Sequence, residues 1–91
     1  MRKIWKFTLP VTDHPIVLMP KGAKVLSAGV QHGDVQVWAL VDPEAPKESR
    51  RFRVAGTGHP LEDEVVSLRF IDTVQMLGGS LIWHIFEYME G

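Results

Sequence analysis

Polar and apolar positions alternate with period two along most of this chain. "KIWKFTL", residues 3–9, sets Trp5, Phe7 and Leu9 on one face and Ile4, Lys6 and Thr8 on the other. That alternation predicts an amphipathic strand. Pro10 ends it, and "VTDHP" reads as a turn-rich link. "IVLM" is a short apolar run closed by Pro20, as expected of a strand near a sheet edge. After a turn at "PKGA", where Gly22 is available for positive φ, "KVLSAGVQHGDVQVWALVD" holds two runs that meet at "HGD". Gly33 fits a hairpin turn there. In the first arm Val25, Ser27, Gly29 and Gln31 oppose Leu26, Ala28, Val30 and His32; in the second, Val35, Val37, Ala39 and Val41 oppose Gln36, Trp38, Leu40 and Asp42. The small Ala28 and Gly29 predict a bulge or a close approach by another group.

"PEAPKESR" is polar and proline-rich and reads as a solvated loop. "RRFRVAG" is a strand with Arg51 and Arg53 opposite Phe52 and Val54. "PLEDE", residues 60–64, has the acids that favour the first turn of a helix, so one short helical turn is expected. "RFIDTVQML" reads as strand, "GGS" as turn and "LIWHIFEYME" as the last strand, with Leu81, Trp83, Ile85 and Glu87 opposite Ile82, His84, Phe86 and Tyr88. A helix over Leu81–Glu90 competes, but β-branched and aromatic content after a turn favours strand. The expectation is an all-β, mainly antiparallel fold: a small sandwich or partly open barrel of six or seven short strands.

Length and composition narrow the setting. Ninety-one residues make one domain, spanning 1–91. A domain of this size buries roughly 60% of the surface its unfolded chain exposes, so the core is thin and a second subunit is an expected support. There is no cysteine, which excludes disulfides and thiolate metal sites and suits a reducing cytosol. Ten basic and eleven acidic residues give a formal charge of -1, not the one-signed field of a general nucleic-acid binder. No apolar run approaches the ~18 residues that span a bilayer, so no membrane partner is expected.

The residues with candidate chemistry cluster at "GTGHP". Gly56, Thr57 and Gly58 can turn their backbone N–H groups inward as a nest for an anion, with the Thr57 hydroxyl and His59 beside it. Arg51 and Arg53 lie just upstream, and a guanidinium grips phosphate or carboxylate well. The competing reading is a plain turn, because "GTG" matches neither a phosphate loop nor a dinucleotide fingerprint. His14, His32, His59 and His84 show no metal-ligand spacing, so neither a metal nor a cofactor is expected. The serines sit in no GxSxG elbow, and Glu62, Asp63 and Glu64 are adjacent acids that project in different directions. Catalysis is therefore not expected. Trp38 and Trp83 are candidates for a wet aromatic that stacks on a base or fills an interface.

"IWKF", "MPKGAKVLS", "WALVDP", "GTGHP" and "GGSLIWHIFE", in this order, resemble a family of small proteins encoded by bacteriophages and prophages and known as a domain of unknown function. The resemblance covers nearly the whole chain; "LEDEVVSLRF" fits it least. It implies a β-rich fold, a phage setting in the cytoplasm of the infected bacterial host, and no reaction. Two functions follow as expectations. One is a non-catalytic binder of a phosphate-containing small molecule, sequestering a nucleotide-type immune signal in a homo-oligomer. Its anion would lie on the backbone of Gly56, Thr57 and Gly58, with Arg53 neutralising it, His59 donating to it and Trp38 walling the pocket. The other is a phage accessory or host-protein interaction module with no small ligand.

Overall fold

The computed structural model describes residues 1–61 and 67–89. Seven strands follow one another: β1 (Lys3–Thr8), β2 (Ile16–Pro20), β3 (Lys24–Gln31), β4 (Asp34–Val41), β5 (Lys47–Gly56), β6 (Leu68–Met76) and β7 (Leu81–Tyr88). They form two antiparallel sheets, ordered β1-β4-β3 and β2-β5-β7-β6, which do not close into a barrel. The all-β sandwich expected from the alternation is therefore the fold. The strand reading of residues 81–88 holds over the competing helix. The helical turn expected at residues 60–64 falls for its larger part, residues 62–64, outside the described residues.

The period-two pattern sorts each strand between core and outside. Leu9, Met19, Val25, Val35, Val37, Ala39, Val41, Phe52, Val54, Val74 and Ile85 are buried together between the sheets, with Trp5, Phe7 and Trp83 packed against them. β3 and β4 meet in a two-residue turn, with His32 at φ 54° and Gly33 at φ 82°, the left-handed pair that matches strand twist in a hairpin.

Two expectations need correction. "KESR" is strand and not loop: β5 begins at Lys47 and pairs along β2, Lys47 with Pro20 through Arg51 with Ile16. Its charges mislead because Glu48 and Arg50 share the face of Phe52 but lie toward the open end of the sandwich, where charged heads still reach water. The simple alternation in β3 also fails. A bulge at Leu26 shifts the register, so that Ala28 pairs with Val37 on the core side and Gly29 pairs with Gln36 outside. Gly29 has a packing reason as well: a Cβ there would lie 3.3 Å from the Trp38 ring.

β3 and β6 are the sheet edges that lie against each other, and they are tied by side chains. Arg69 donates through Nη2 to the carbonyl of Val25 at 2.8 Å, and the Ala28 N–H donates to Asp72 Oδ2 at 3.2 Å. β6 carries its own bulge at Ile71, which rotates Asp72 onto the inner side opposite Ile85. Removing one partner of such a bond leaves a partly buried polar group unsatisfied, at a cost of about 1–3 kcal/mol. Asp72→Ala is expected to lower the unfolding free energy by that amount in urea denaturation; an unchanged midpoint and slope would show that the seam contributes nothing.

Candidate functional site

The "GTGHP" corner is a tight turn that carries a side-chain network. β5 ends at Gly56, whose carbonyl accepts the N–H of His59 at 3.0 Å. Thr57 and Gly58 are the central residues, and Gly58 at φ 87° supplies the positive φ of the second central position. The His59 ring folds back over Gly56, where a Cβ would come within 2.8 Å of it. On the outer side of the four-stranded sheet, His84 lies between two hydroxyls, Thr57 Oγ1 at 2.7 Å from Nε2 and Thr73 Oγ1 at 3.0 Å from Nδ1. A shallow cavity of ≈ 260 Å³ lies beside the corner, lined by Gly56, Thr57, His59 and residues 80–83.

The structure does not bring the six expected ligand residues together. Gly56, Thr57 and His59 share that cavity, with Gly58 in the turn between them. Arg53 is next to them in the chain but buried, 7% exposed. Its guanidinium donates to the carbonyls of Val54 at 2.7 Å and Pro60 at 3.2 Å and lies 3.8 Å from Asp13 Oδ1. It pins the chain on either side of β5 and is committed to that task. Trp38 belongs to the other sheet. It pairs with Lys6 and Ser27 on the outer face, since its neighbours Val37 and Ala39 point into the core. Among the described residues no group of three or more histidine, aspartate or glutamate side chains could hold a metal ion; His14 lies beside the Tyr88 ring and His32 in the β3–β4 turn, with His59 and His84 as above.

A second and larger cavity, ≈ 380 Å³, opens between the sheets at the end where β3 and β5 begin. Lys24, Glu48, Arg50, Arg69, Glu87 and Tyr88 are among its lining residues. Glu87 is 7% exposed, a carboxylate on the inner face of β7 in register with Phe52. Such a burial is tolerable only with a partner. Arg50 provides it, donating through Nε to Glu87 Oε2 at 2.6 Å. The same guanidinium donates through Nη1 to the carbonyl of Ala23 at 2.7 Å and lies 3.6 Å from Glu48. Arg69 has one N–H on Val25, and Lys24 is exposed with no ion pair among the described residues. Sequence reasoning missed this cluster because it read Arg50 as loop. The signal was present in Glu87, which shares the inward face of Trp83 and Ile85.

A family profile matches the chain over residues 1–91. The protein belongs to the family described as domain of unknown function DUF7352. The resemblance seen in the sequence is thus confirmed at the level of a family of unknown function. No curated protein matches the chain, and no solved structure does. Membership in DUF7352 assigns no residue a role.

Two substitutions test the corner. Gly56→Ala pushes only an exposed ring aside and is expected within about 0.5 kcal/mol of neutral, while Gly58→Ala forces a Cβ into left-handed backbone and costs about 1–2 kcal/mol. Equal losses by thermal denaturation would contradict this geometry. At the mouth, Glu87→Ala removes the nearest carboxylate of a part-buried guanidinium that keeps the Ala23 carbonyl and Glu48, and is expected to cost about 1–3 kcal/mol, read from the denaturant midpoint; a loss well below about 1 kcal/mol would mean that Arg50 is already well solvated.

Proposed function

We propose that this protein is a non-catalytic binding domain whose ligand is a small molecule bearing a phosphate or carboxylate, held at the mouth between the sheets. The observation that carries the reading is the arrangement of charge there. Arg50 and Glu87 neutralise each other and form a fixed base. Lys24 and Arg69 add donors that no acid in the described residues engages. Arg69 is held in place by its bond to Val25 and keeps further N–H donors for a planar anion. Glu48 offers an acceptor on the same wall, so a ligand with both an anionic and a donor group meets complementary partners. The volume is within the range of small-ligand sites.

The anion is assigned to the mouth and not to the "GTGHP" corner, because the cation expected at the corner, Arg53, is occupied by main-chain carbonyls. A nucleotide has both an anionic and a donor group. The phage setting, with the protein in the host cytoplasm sequestering a nucleotide-type signal, rests on the sequence resemblance alone and makes nucleotides the first ligands to try. A second reading, an interaction module, is favoured by a different observation: Ile16, Leu18 and Phe70 are 61%, 61% and 56% exposed on the outside of the four-stranded sheet.

The test is calorimetric titration of the full chain with inorganic phosphate, mononucleotides and cyclic dinucleotides. At least one is expected to bind, with affinity falling tenfold or more in Arg69→Ala and in Lys24→Ala. Lys24 is exposed and outside the seam, so its variant separates lost binding from lost folding. No binding of any of these at millimolar concentration, or binding indifferent to both substitutions, overturns the reading.

A further inference from the structure

We propose that the open edge of β1 is a docking site for an acidic extended peptide, which joins the three-stranded sheet as a further strand. The inference is independent of the ligand reading and uses no residue of the mouth.

The two sheets have their edges at β1, β3, β2 and β6, and all but β1 are covered or blunted. β3 and β6 lie against each other, and each carries a bulge. β2 is short and follows Pro15. The bond from the Phe52 N–H to the Pro15 carbonyl sets which β2 residues turn their main chain outward: Ile16, Leu18 and Pro20. Pro20 has no N–H to offer there. β1 differs. It pairs with β4 over Lys3–Thr8 without a register shift, and it contains neither proline nor glycine. The N–H of Leu9 donates to the Val35 carbonyl, so by alternation Phe7, Trp5 and Lys3 also turn their main chain to β4. The N–H and carbonyl groups of Ile4, Lys6 and Thr8 point away from the sheet, and among the described residues they have no main-chain partner. Donors and acceptors at every second residue are the ladder that an added strand requires.

Charge selects the occupant. Arg2, Lys3 and Lys6 are exposed, β1 has no acid, and none of these cations has an ion pair among the described residues. Lys47 reaches across from β5, its Nζ 5.2 Å from the centre of the Trp5 ring. A second copy of β1 would set cations against cations, which is unfavourable across a strand pair. Lysine on an edge guards against such self-pairing. The same charges favour a strand that carries carboxylates. The two faces of β1 add a pattern. Ile4, Lys6 and Thr8 lie outside, whereas Trp5 and Phe7 are half-buried on the inner side, packed against the core. An added strand meets Lys6 outside and rings inside, with Arg2 and Lys3 at its end, so its residues alternate acidic with apolar. A nucleic-acid strand could use the cations, but it binds through phosphates and stacked bases and leaves the ladder unfilled.

The experiment is titration of the full chain with a synthetic peptide of alternating glutamate and valine, followed by calorimetry and by amide hydrogen exchange in NMR spectra. The peptide is expected to bind, less tightly as salt is raised. The amides of Ile4, Lys6 and Thr8 are expected to exchange readily in the protein alone and to become protected with peptide bound, while those of Trp5 and Phe7 are protected in both states. Lys3→Glu combined with Lys6→Glu, both at exposed positions, is expected to weaken binding tenfold or more with circular dichroism unchanged. A peptide with lysine in place of glutamate is expected not to bind. Lys24→Ala is expected to bind the peptide as wild type does, so failure at the edge and failure at the mouth are separately visible. No binding at millimolar peptide, binding that leaves the amides of Ile4, Lys6 and Thr8 unprotected, or binding indifferent to the double substitution overturns the proposal. So does protection of those amides in the protein alone, which would put another copy of the chain on the edge, or tighter binding of single-stranded DNA than of the peptide.

Discussion

Two strands that never pair with each other hold this sandwich together. β3 and β6 are edges of different sheets, and the contact between them is carried by Arg69 on the Val25 carbonyl and Asp72 on the Ala28 N–H. Arg50 adds a third tie, from β5 to the Ala23 carbonyl at the start of β3. Open edges are a hazard for a small β protein, because their unpaired main chain recruits other strands. Here the two bulges, at Leu26 and Ile71, end regular pairing locally and present main chain that side chains can reach. Bonds to charged groups are worth more than neutral ones, about 1.5–3 kcal/mol each, which matters in a domain whose core is a single thin layer.

The same ties shape the mouth. A sheet whose inner face ended in apolar side chains would collapse onto the opposite sheet. The inner face of β5 and β7 instead ends in Arg50 and Glu87, whose ion pair keeps a charged pair at the border of core and water. Buried ion pairs add little net stability against apolar replacements, and one use that outweighs this is specificity of arrangement. In this molecule the pair, with Arg69 and Lys24 beside it, leaves a polar hollow where the sheets diverge. Structure and candidate function therefore draw on the same guanidinium groups.

Arg53 shows how nearby residues of one type come to different ends. Arg50 faces inward at the mouth, Arg51 lies on the Tyr88 ring outside, and Arg53 is buried under the chain that follows and precedes its strand. Alternation accounts for the difference between Arg50 and Arg51. It does not account for Arg53, which shares the outward side of Arg51. Arg53 is enclosed by residues 13–15, whose carbonyls at Asp13 and Pro15 accept the N–H groups of Val54 and Phe52, and by Pro60, whose carbonyl accepts from its guanidinium. That enclosure depends on proline-rich links with no periodic signal.

Much of the architecture was legible in the residues alone. Alternation at Trp5, Phe7 and Leu9, at Val35 through Val41 and at Trp83, Ile85 and Glu87 sets strand type and inner face, because a strand places every second side chain on one side whatever it packs against. "HGD" names its hairpin, because positive φ is a local property of the backbone. The order β2-β5-β7-β6, the seam between β3 and β6, and the separation of Trp38 from "GTGHP" were not legible. They are set by which faces and edges meet, a competition among distant segments that no local pattern encodes. The charged cluster at the mouth belongs to that second class: its members come from four strands, β3, β5, β6 and β7, and only packing of the two sheets places them around one space.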